Sequence, residues 1–331
     1  MLFRSLRCQE SDFTQRSTTP LNTLKMLIPP FLKPGDAVII LAPASPFPYD
    51  DLENAFRVLR HDWQLNVLEG AHLQANIGAF AGTDEQRLAD LQQAINDPQV
   101  RAIFAARGGY GSYRLIEKLD FSPLLTNPKW LVGFSDITVL LSHLQRLGIA
   151  SLHAVMPRQF RLDTVADDIE SLRQWLFGEA VAPYTAPANA LNRLGTSAEQ
   201  SGLATLAGGN LSMLVHTLGT SSEVDWAGKL LFIEDIDESI FALDRMLIQL
   251  QRSGKLANLA GLLVGSFSDM RDNKSVPYGK TANELIAEAV SAYPYPVAFG
   301  MPVGHEGLNL AMPVGVSGTL TVGQEGSELV F

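Results

Sequence analysis

The sequence is poor in cysteine, since Cys8 is the single one among 331 residues. An internal disulfide needs two thiols, and a zinc site built on several thiolates needs at least as many, so both are excluded. Chains with so little cysteine are typical of reducing compartments. Cys8 lies in a polar stretch without a strand or helix to position it, and we predict that it has no catalytic role.

Long apolar runs and clusters of basic residues are also missing. No apolar stretch reaches the roughly 20 residues that a membrane-spanning helix needs. The net charge is −10, so nucleic acid and anionic membranes are poor candidates for partners. Arg4, Arg7 and Arg16 are not followed by the apolar segment of a secretory signal. These absences favour a cytoplasmic protein.

The first half of the chain alternates between two kinds of pattern. Short apolar runs typical of strands are separated by stretches with apolar residues at helix spacing, which predicts a parallel sheet with helices on both faces. The predicted strands span 37–42, 64–68, 100–106, 130–133 and 150–153. The length predicts about two domains. We divide the chain into a flexible leader, an N-terminal domain, a linker and a C-terminal domain, at 1–32, 33–158, 159–200 and 201–331.

The stretch 133–138, Gly-Phe-Ser-Asp-Ile-Thr, follows a predicted strand and opens a helical pattern. Ser135 therefore lies in a sharp strand-to-helix turn. Such a turn exposes a hydroxyl beside the free N–H groups of a helix N-terminus, which suits a nucleophile. The alternative is an ordinary helix N-cap. The stretch also departs from the G-x-S-x-G pattern, because Ile137 replaces the second glycine.

A serine nucleophile needs a base, and the base needs an acid to orient it. Of the six histidines, His153 at a strand end and His305 in a glycine-rich loop are the best placed candidates, with a structural role as the alternative for either. Glu234 is the first carboxylate after a buried strand and is the candidate acid. The acidic run 234–238 could instead bind a metal or cap the next helix, although it lacks a calcium-loop pattern and an H-E-x-x-H pair.

A second glycine-rich segment, 107–111 (Arg-Gly-Gly-Tyr-Gly), also follows a predicted strand. Glycine allows positive φ angles and a close approach of backbone to a ligand. An oxyanion-hole loop beside Ser135 is one interpretation. A phosphate loop is the other, but the segment has neither G-x-G-x-x-G spacing nor the Gly-Lys-Ser/Thr of a Walker motif.

Six stretches occur together and in a fixed order: GDAVIILAPASP, RGGYG, GFSDIT, LAGGNLSML, LLFIEDIDES and PVGHEGLNLAMPVG. Each alone is weakly diagnostic, but in combination they resemble the LD-carboxypeptidases. This family of serine peptidases includes murein tetrapeptide carboxypeptidases and microcin-immunity peptidases. The resemblance covers residues 33–331.

The resemblance implies a catalytic triad split between two domains. Its members would be Ser135 as nucleophile, His305 as base and Glu234 as acid. The oxyanion donors would be the backbone N–H groups of Gly109 and Asp136. The site would lie where the two domains meet, and it would need neither a metal nor a cofactor.

The implied fold is α/β, with a Rossmann-like parallel-sheet N-terminal domain and a smaller, β-rich α/β C-terminal domain, commonly as a homodimer. The implied substrate is a muropeptide, the murein tetrapeptide. Its terminal D-Ala is released by hydrolysis of an L,D-amide bond during cytoplasmic cell-wall recycling. We expect substrate contacts from Arg107, Tyr110 and His153, with Arg107 the candidate for binding the terminal carboxylate.

Two other functions stay open. The first is an immunity-type peptidase that cleaves aminoacyl-nucleotide antibiotics, for which Trp175 and Tyr184 are candidates for an aromatic platform. Trp175 lies beside the apolar stripe of Leu172 and Leu176, however, which favours a place in the core. The second is a non-catalytic peptide-binding module, against which the complete set of nucleophile, base and acid argues. The sequence leaves open whether the third residue of the peptide is diaminopimelate or lysine, and whether translation starts at Met1 or Met26.

Overall fold

The computed structural model describes residues 26–194 and 202–331. Cys8, most of the predicted leader and the end of the predicted linker lie outside the described residues. Within the described part, no helix is both long and apolar enough to cross a membrane.

In the described residues the first sheet has six strands, and its five consecutive N-terminal strands are all parallel to one another. A short strand from near the C-terminus adds to one edge in the antiparallel direction. Aliphatic side chains fill both faces of the inner strands, as parallel sheets covered by helices require. The strands are β1 (Ala37–Leu41), β2 (Asn66–Glu69), β3 (Val100–Ala105), β4 (Trp130–Gly133), β5 (Ser151–His153) and β11 (Met312–Val314). Their spatial order is β11-β5-β4-β3-β1-β2.

Between residues 26 and 194 five α-helices belong to this half of the chain: α1 (Glu53–Arg57), α2 (Asp84–Asn96), α3 (Ser122–Thr126), α4 (Thr138–Arg146) and α5 (Ala166–Phe177). A capping box starts α2: the Gln86 N–H donates to Thr83 Oγ1 at 3.2 Å, and the Thr83 N–H donates to Gln86 Oε1 at 2.9 Å. This cap fixes the start of the helix beside the loop that follows β1.

The second sheet has seven strands in the order β10-β9-β8-β7-β12-β13-β6. They are β6 (Tyr184–Pro187), β7 (Ala204–Asn210), β8 (Leu230–Ile236), β9 (Gly261–Ser268), β10 (Val297–Phe299), β12 (Ser317–Val322) and β13 (Gly326–Val330). Strands β7 to β10 are parallel, whereas β12, β13 and β6 extend the sheet in antiparallel fashion. The helices here are α6 (Leu211–His216), α7 (Ile240–Arg252) and α8 (Ala282–Ala289). The predicted α/β class, with a parallel N-terminal sheet and a second sheet domain, is confirmed.

The two sheets share one continuous hydrophobic core. Leu41 and Ile103 of the first sheet belong to the same buried cluster as Leu206, Phe232 and Leu263 of the second. Burying a side chain of this size stabilises a fold by about 1.5–3 kcal/mol. The contact between the two halves is therefore held together by apolar packing, and it fixes the ends of β4 and β8 relative to each other.

The segments assigned to the leader and the linker contain structured residues. Leu32 is buried and donates its N–H to Leu176 O at 2.7 Å, so the last residues before 33 pack on the N-terminal domain. Within 159–200, helix α5 buries Leu172 in the core of that domain because its apolar residues form one stripe, and β6 joins the second sheet. These parts are integral to the two domains and do not form a free connection.

Candidate active site

Ser135 lies in a strained turn between β4 and α4. Its φ angle is +61°, in the left-handed region that costs a residue with a side chain about 1–2 kcal/mol. Gly133 makes the turn possible, since a Cβ there would lie 2.9 Å from the Ile137 side chain. A single helical turn from Ser135 to Ile137 then leads into α4. The preceding residue, Phe134, is buried, and the turn presents the Ser135 hydroxyl at the end of the strand.

The glycine-rich loop after β3 lies against this turn. A Cβ on Gly108 would lie 3.1 Å from Ser135 Cβ and 3.4 Å from its Oγ. Gly109 has φ +106° and packs on Ser45, so a side chain at Gly109 would collide with the Ser45 hydroxyl. The backbone of the loop can therefore approach Ser135 at Gly108 and Ser45 at Gly109, because neither position carries a side chain.

Of the two residues predicted to supply oxyanion donors, Asp136 directly follows Ser135, and Gly109 directly follows Gly108, which lies against Ser135. The turn and loop hydrogen bonds among the described residues do not use the Gly109 N–H, and Asp136 lies in the first turn of the helix, where a backbone N–H has no partner within the helix. Both groups are therefore candidates for binding an oxyanion. The Asp136 carboxylate points away and accepts the Ser112 N–H at 2.8 Å. Burial raises the pKa of this carboxyl above its usual range, while the Ser112 hydrogen bonds partly oppose the shift. Asp136 therefore ties the turn to the end of the glycine-rich loop.

The candidate base and acid form a direct pair. His305 Nδ1 lies 2.6 Å from Glu234 Oε2, and the Glu234 side chain is fully buried at the end of β8. The carboxylate accepts a hydrogen bond from the Nδ1–H group, which leaves the Nε2 lone pair free to accept a proton. The loop that carries the histidine is fixed by Ser266 Oγ, which accepts the His305 N–H at 3.0 Å, and by Asn309 Oδ1, which accepts the Gly304 N–H at 3.1 Å.

Packing between the two domains brings this pair to the serine turn. The rings of Phe134 and His305 lie 4.7 Å apart between centroids, so the residue before Ser135 contacts the candidate base. A second contact joins α4 to the end of β7, where the Asn210 N–H donates to Thr138 Oγ1 at 3.1 Å. The structure thus places Ser135, His305 and Glu234 at one junction of the two sheets, although they are far apart in sequence.

The carboxylates next to Glu234 point in different directions. Asp235 is buried and accepts hydrogen bonds from Asn210 Nδ2 at 2.7 Å and from the Ser212 N–H at 2.9 Å. Burial and the neighbouring Glu234 raise the pKa of Asp235 to about 6. Asp237 is exposed and pairs with Arg271. In the described part of the chain, no three His, Cys, Asp or Glu side chains are grouped so that they could hold a metal ion.

His153 is buried and does not reach the surface beside Ser135. It has no exposed surface, and its ring lies between Phe134 and Phe232 at centroid distances of 5.5 and 5.1 Å. This burial contradicts the expected substrate contact: the end of β5 is covered by the second domain, which the sequence did not reveal. The Asn309 side chain is the polar neighbour of the His153 ring, and Glu234 Oε1 accepts no hydrogen bond among the described residues.

The buried imidazole makes stability depend on pH. Burial lowers the pKa of His153 from 6.5 to about 4, with the Glu234 carboxylate only partly opposing it. Between these values the unfolded chain binds a proton that the folded chain does not, so the free energy of unfolding falls as the pH decreases from 6.5 to 4. We expect the wild type to lose up to about 3 kcal/mol more than His153→Gln over this range. Urea denaturation at several pH values would measure the free energy of unfolding of the two proteins. The same pH dependence in the wild type and in His153→Gln would contradict this prediction.

Arg107 and Tyr110 lie on the glycine-rich loop. The Arg107 guanidinium donates to the carbonyl of Pro46, and burial lowers its pKa, with the nearby Arg158 adding to the effect. Tyr110 is 56% exposed, and its ring lies 5.7 Å from that of Phe80. Both residues are thus next to the Ser135 turn, with Tyr110 the more accessible of the two.

Three residues that shape the site were missed by sequence analysis: Phe134, Ser266 and Asn309. Phe134 lies within the serine motif and could have been singled out as the buried residue of a strained turn. Ser266 and Asn309 act through backbone hydrogen bonds to the His305 loop, and no local pattern marks a side chain for that role.

Comparison with known proteins agrees with this geometry. The family model described as the LD-carboxypeptidase N-terminal domain matches residues 38–154, and that of the LD-carboxypeptidase C-terminal domain matches residues 204–320. The probable murein peptide carboxypeptidase of Bacillus subtilis is 36% identical over 305 residues, which cover 90% of this chain and 92% of that protein.

Solved structures give the same result. The crystal structure of muramoyltetrapeptide carboxypeptidase from Oxalobacter formigenes superposes with a TM-score of 0.77 and 30% identity, covering 88% of this chain and 97% of that one. The microcin C7 self immunity protein MccF, in complex with aspartyl sulfamoyl adenosine, has a TM-score of 0.77 at 19% identity, covering 92% and 98% of the two chains, and shows the fold alone. Two matching domain models and a relative at 36% identity establish the assignment: the chain belongs to the LD-carboxypeptidase family of peptidases.

Proposed function

We propose that the protein is a serine carboxypeptidase that releases the terminal D-Ala of a murein tetrapeptide by cleaving its L,D-amide bond. The observation that carries the proposal is the 2.6 Å contact between His305 and the buried Glu234, which lies against the turn that presents Ser135. The names of the relatives in Bacillus subtilis and Oxalobacter formigenes support the choice of a murein peptide. The proposal includes a role in cell-wall recycling in the cytoplasm and a homodimeric state.

In this mechanism His305 Nε2 removes the proton of Ser135 as the Oγ attacks the carbonyl carbon of the residue before D-Ala. Negative charge develops on the carbonyl oxygen, where the N–H groups of Gly109 and Asp136 stabilise it. His305 then gives the proton to the amine of the departing D-Ala, and the acyl group stays on Ser135. A water molecule, deprotonated by His305, releases the acyl group and regenerates the serine.

Glu234 acts on this cycle without contacting the substrate. Its carboxylate fixes the tautomer of His305 and stabilises the imidazolium that forms when Nε2 is protonated. Full burial strengthens this effect, because little water screens the interaction. Arg107 is the proposed partner of the terminal carboxylate, since it is the cation on the loop beside Ser135 and a guanidinium binds carboxylates well.

The expected requirement for a free carboxylate on the residue directly after the scissile bond gives a direct test. We expect D-Ala release from L-Ala-γ-D-Glu-diaminopimelate-D-Ala to be at least about ten-fold faster than from the pentapeptide ending in D-Ala-D-Ala, because the extra residue displaces the terminal carboxylate. Initial rates measured by a coupled assay for free D-Ala would compare the two peptides. Equal rates on the two peptides would contradict this requirement. A tetrapeptide with lysine in place of diaminopimelate would show which residue is preferred at the third position.

The same assay tests the absence of a metal step. Turnover should survive excess EDTA, because the three proposed catalytic side chains need no metal ion. Complete inhibition by EDTA that is reversed by zinc would contradict the serine mechanism.

The aminoacyl-nucleotide alternative is less well supported by the described residues. Trp175 donates its indole N–H to the Tyr184 hydroxyl at 2.9 Å, and Tyr184 is 3% exposed. Both rings pack on Phe331, so neither is free to stack on a nucleobase. The two residues considered for a nucleobase platform therefore pack in the core, as the apolar stripe beside Trp175 indicated, and they do not support this alternative. Hydrolysis of aspartyl sulfamoyl adenosine, and not of the tetrapeptide, would reverse the preference.

A further inference from the structure

Arg87 is a buried cation that the proposed mechanism does not use. It lies on α2, is 1% exposed, and pairs with Asp84 one turn earlier on the same helix. Burying a guanidinium is costly unless its N–H groups are hydrogen-bonded. Its Nη1 donates to two backbone carbonyl oxygens, Pro43 O at 2.6 Å and Gly111 O at 2.9 Å.

These two carbonyls belong to two different loops. Pro43 lies in the loop after β1, whereas Gly111 ends the glycine-rich loop after β3. The loops also bind each other directly, because the Ser45 N–H donates to Gly108 O at 3.2 Å and the Tyr110 N–H donates to Ser45 Oγ at 3.0 Å. One guanidinium nitrogen therefore clamps both loops where they meet.

The fit between Arg87 and the loop is close. A Cβ on Gly111 would lie 2.5 Å from Arg87 Nη1, so glycine is needed for the guanidinium to reach the carbonyl. The guanidinium carbon lies 5.0 Å from the centre of the Phe80 ring, which covers it from solvent. At the next residue, Ser112, the chain is held by the Asp136 carboxylate. Gly109 thus lies in a segment fixed on both sides.

We propose that Arg87 is a positioning residue for the oxyanion hole, holding the backbone of the glycine-rich loop so that the Gly109 N–H points at the reacting carbonyl oxygen. This inference rests on the proposed function, because the oxyanion is that of the peptide substrate. A donor fixed in advance stabilises the transition state without reorganising during the reaction. Loosening the clamp should thus lower kcat, with little effect on substrate binding.

Arg114 provides a matched control. It pairs with the same Asp84 at 2.9 Å, and its guanidinium carbon lies 5.7 Å from the same Phe80 ring. Its side chain is half exposed and donates to neither loop carbonyl, and its contact with the glycine-rich loop is made through the exposed side chain of Tyr110. Arg114→Met therefore removes an ion pair with Asp84 and leaves the clamp intact, whereas Arg87→Met removes both.

The test compares kcat and KM for D-Ala release by the wild type, Arg87→Met, Arg87→Lys and Arg114→Met, assayed well below the melting temperature of each. We expect Arg87→Met to lower kcat by about 10- to 100-fold with KM within about three-fold, because misplacing a donor costs part of what its removal costs. Arg87→Lys should recover part of the loss, and Arg114→Met should stay within about two-fold of wild type. Equal kcat values for Arg87→Met and Arg114→Met, or a change confined to KM, would overturn the proposal.

Hydrogen exchange tests the clamp without any substrate. Amides of residues 108–112 should exchange faster in Arg87→Met than in the wild type or Arg114→Met, because the loop opens more often once its anchor is lost. Unchanged exchange would overturn the clamp itself. A wild type without turnover on the tetrapeptide would overturn the proposed function instead, and the exchange result would still decide whether Arg87 fixes the loop.

Discussion

Replacing Ser135 by alanine is expected to lower kcat by about 10⁴- to 10⁶-fold, the range seen when a triad nucleophile is removed. Without Oγ, no acyl group can form on the protein, and His305 has no proton to accept. Binding should persist, since the loop, Arg107 and the backbone donors are unchanged. D-Ala release would measure the rate, and titration calorimetry with the tetrapeptide would measure the affinity.

The strained turn supplies a control for this variant. Ser135→Gly removes the hydroxyl and also the Cβ that the positive φ disfavours, so it should be as inactive as Ser135→Ala and at least as stable. Ser142→Ala, in the middle of α4, should leave activity within about two-fold of wild type. More than about a tenth of wild-type activity in either Ser135 variant would end the triad hypothesis.

Loss of the His305 imidazole should be nearly as severe. We expect His305→Ala to lower kcat by about 10⁴- to 10⁶-fold, because no other group in the proposed mechanism can move the proton between Ser135 and D-Ala. The alanine variant also leaves Glu234 buried without its partner, which destabilises a protein by about 3–5 kcal/mol. His305→Gln keeps an N–H donor for the carboxylate and should be equally inactive but better folded, as thermal melting would show.

His72 is the matched control for this variant. It forms the same kind of contact, with His72 Nδ1 2.7 Å from Oδ1 of the buried Asp90, but it follows β2 at the other edge of the first sheet. His72→Gln should therefore keep wild-type kcat. If His72→Gln lost activity as His305→Gln does, the loss would report on folding and not on catalysis.

The features of the site that depend on residues adjacent in the chain were predicted from the sequence. The serine turn follows from a buried strand, a glycine and a helix start within a few residues, and the structure has that turn, with a positive φ angle at Ser135. Glu234 was singled out as the first carboxylate after a buried strand, and the structure pairs it with His305. Such features depend on neighbours in the chain, which a pattern of apolar residues and glycines records.

What depended on distant parts of the chain was not predictable in this way. His153 ends a strand as a functional residue can, but the second domain covers it. Helix α5 and β6 were assigned to a linker because proline and glycine interrupt their surroundings, yet each packs on a different sheet. In the sequence Arg87 is one of several polar residues in a helical stretch. Its two carbonyl partners are 44 and 24 positions away, so no local pattern indicates the contact.

The strand β11 has a consequence for the order in which the chain can fold. It pairs with β5 through Met312 opposite His153 and Val314 opposite Ser151, so the first sheet is completed only by residues that are synthesised after β6 to β10 of the second sheet. Until then the edge of β5 has unpaired backbone groups that another strand could bind. Pro313, in the middle of β11, has no N–H to offer a further strand. The last addition to the sheet therefore also closes its edge against self-association, and an N-terminal domain expressed alone would lack that protection.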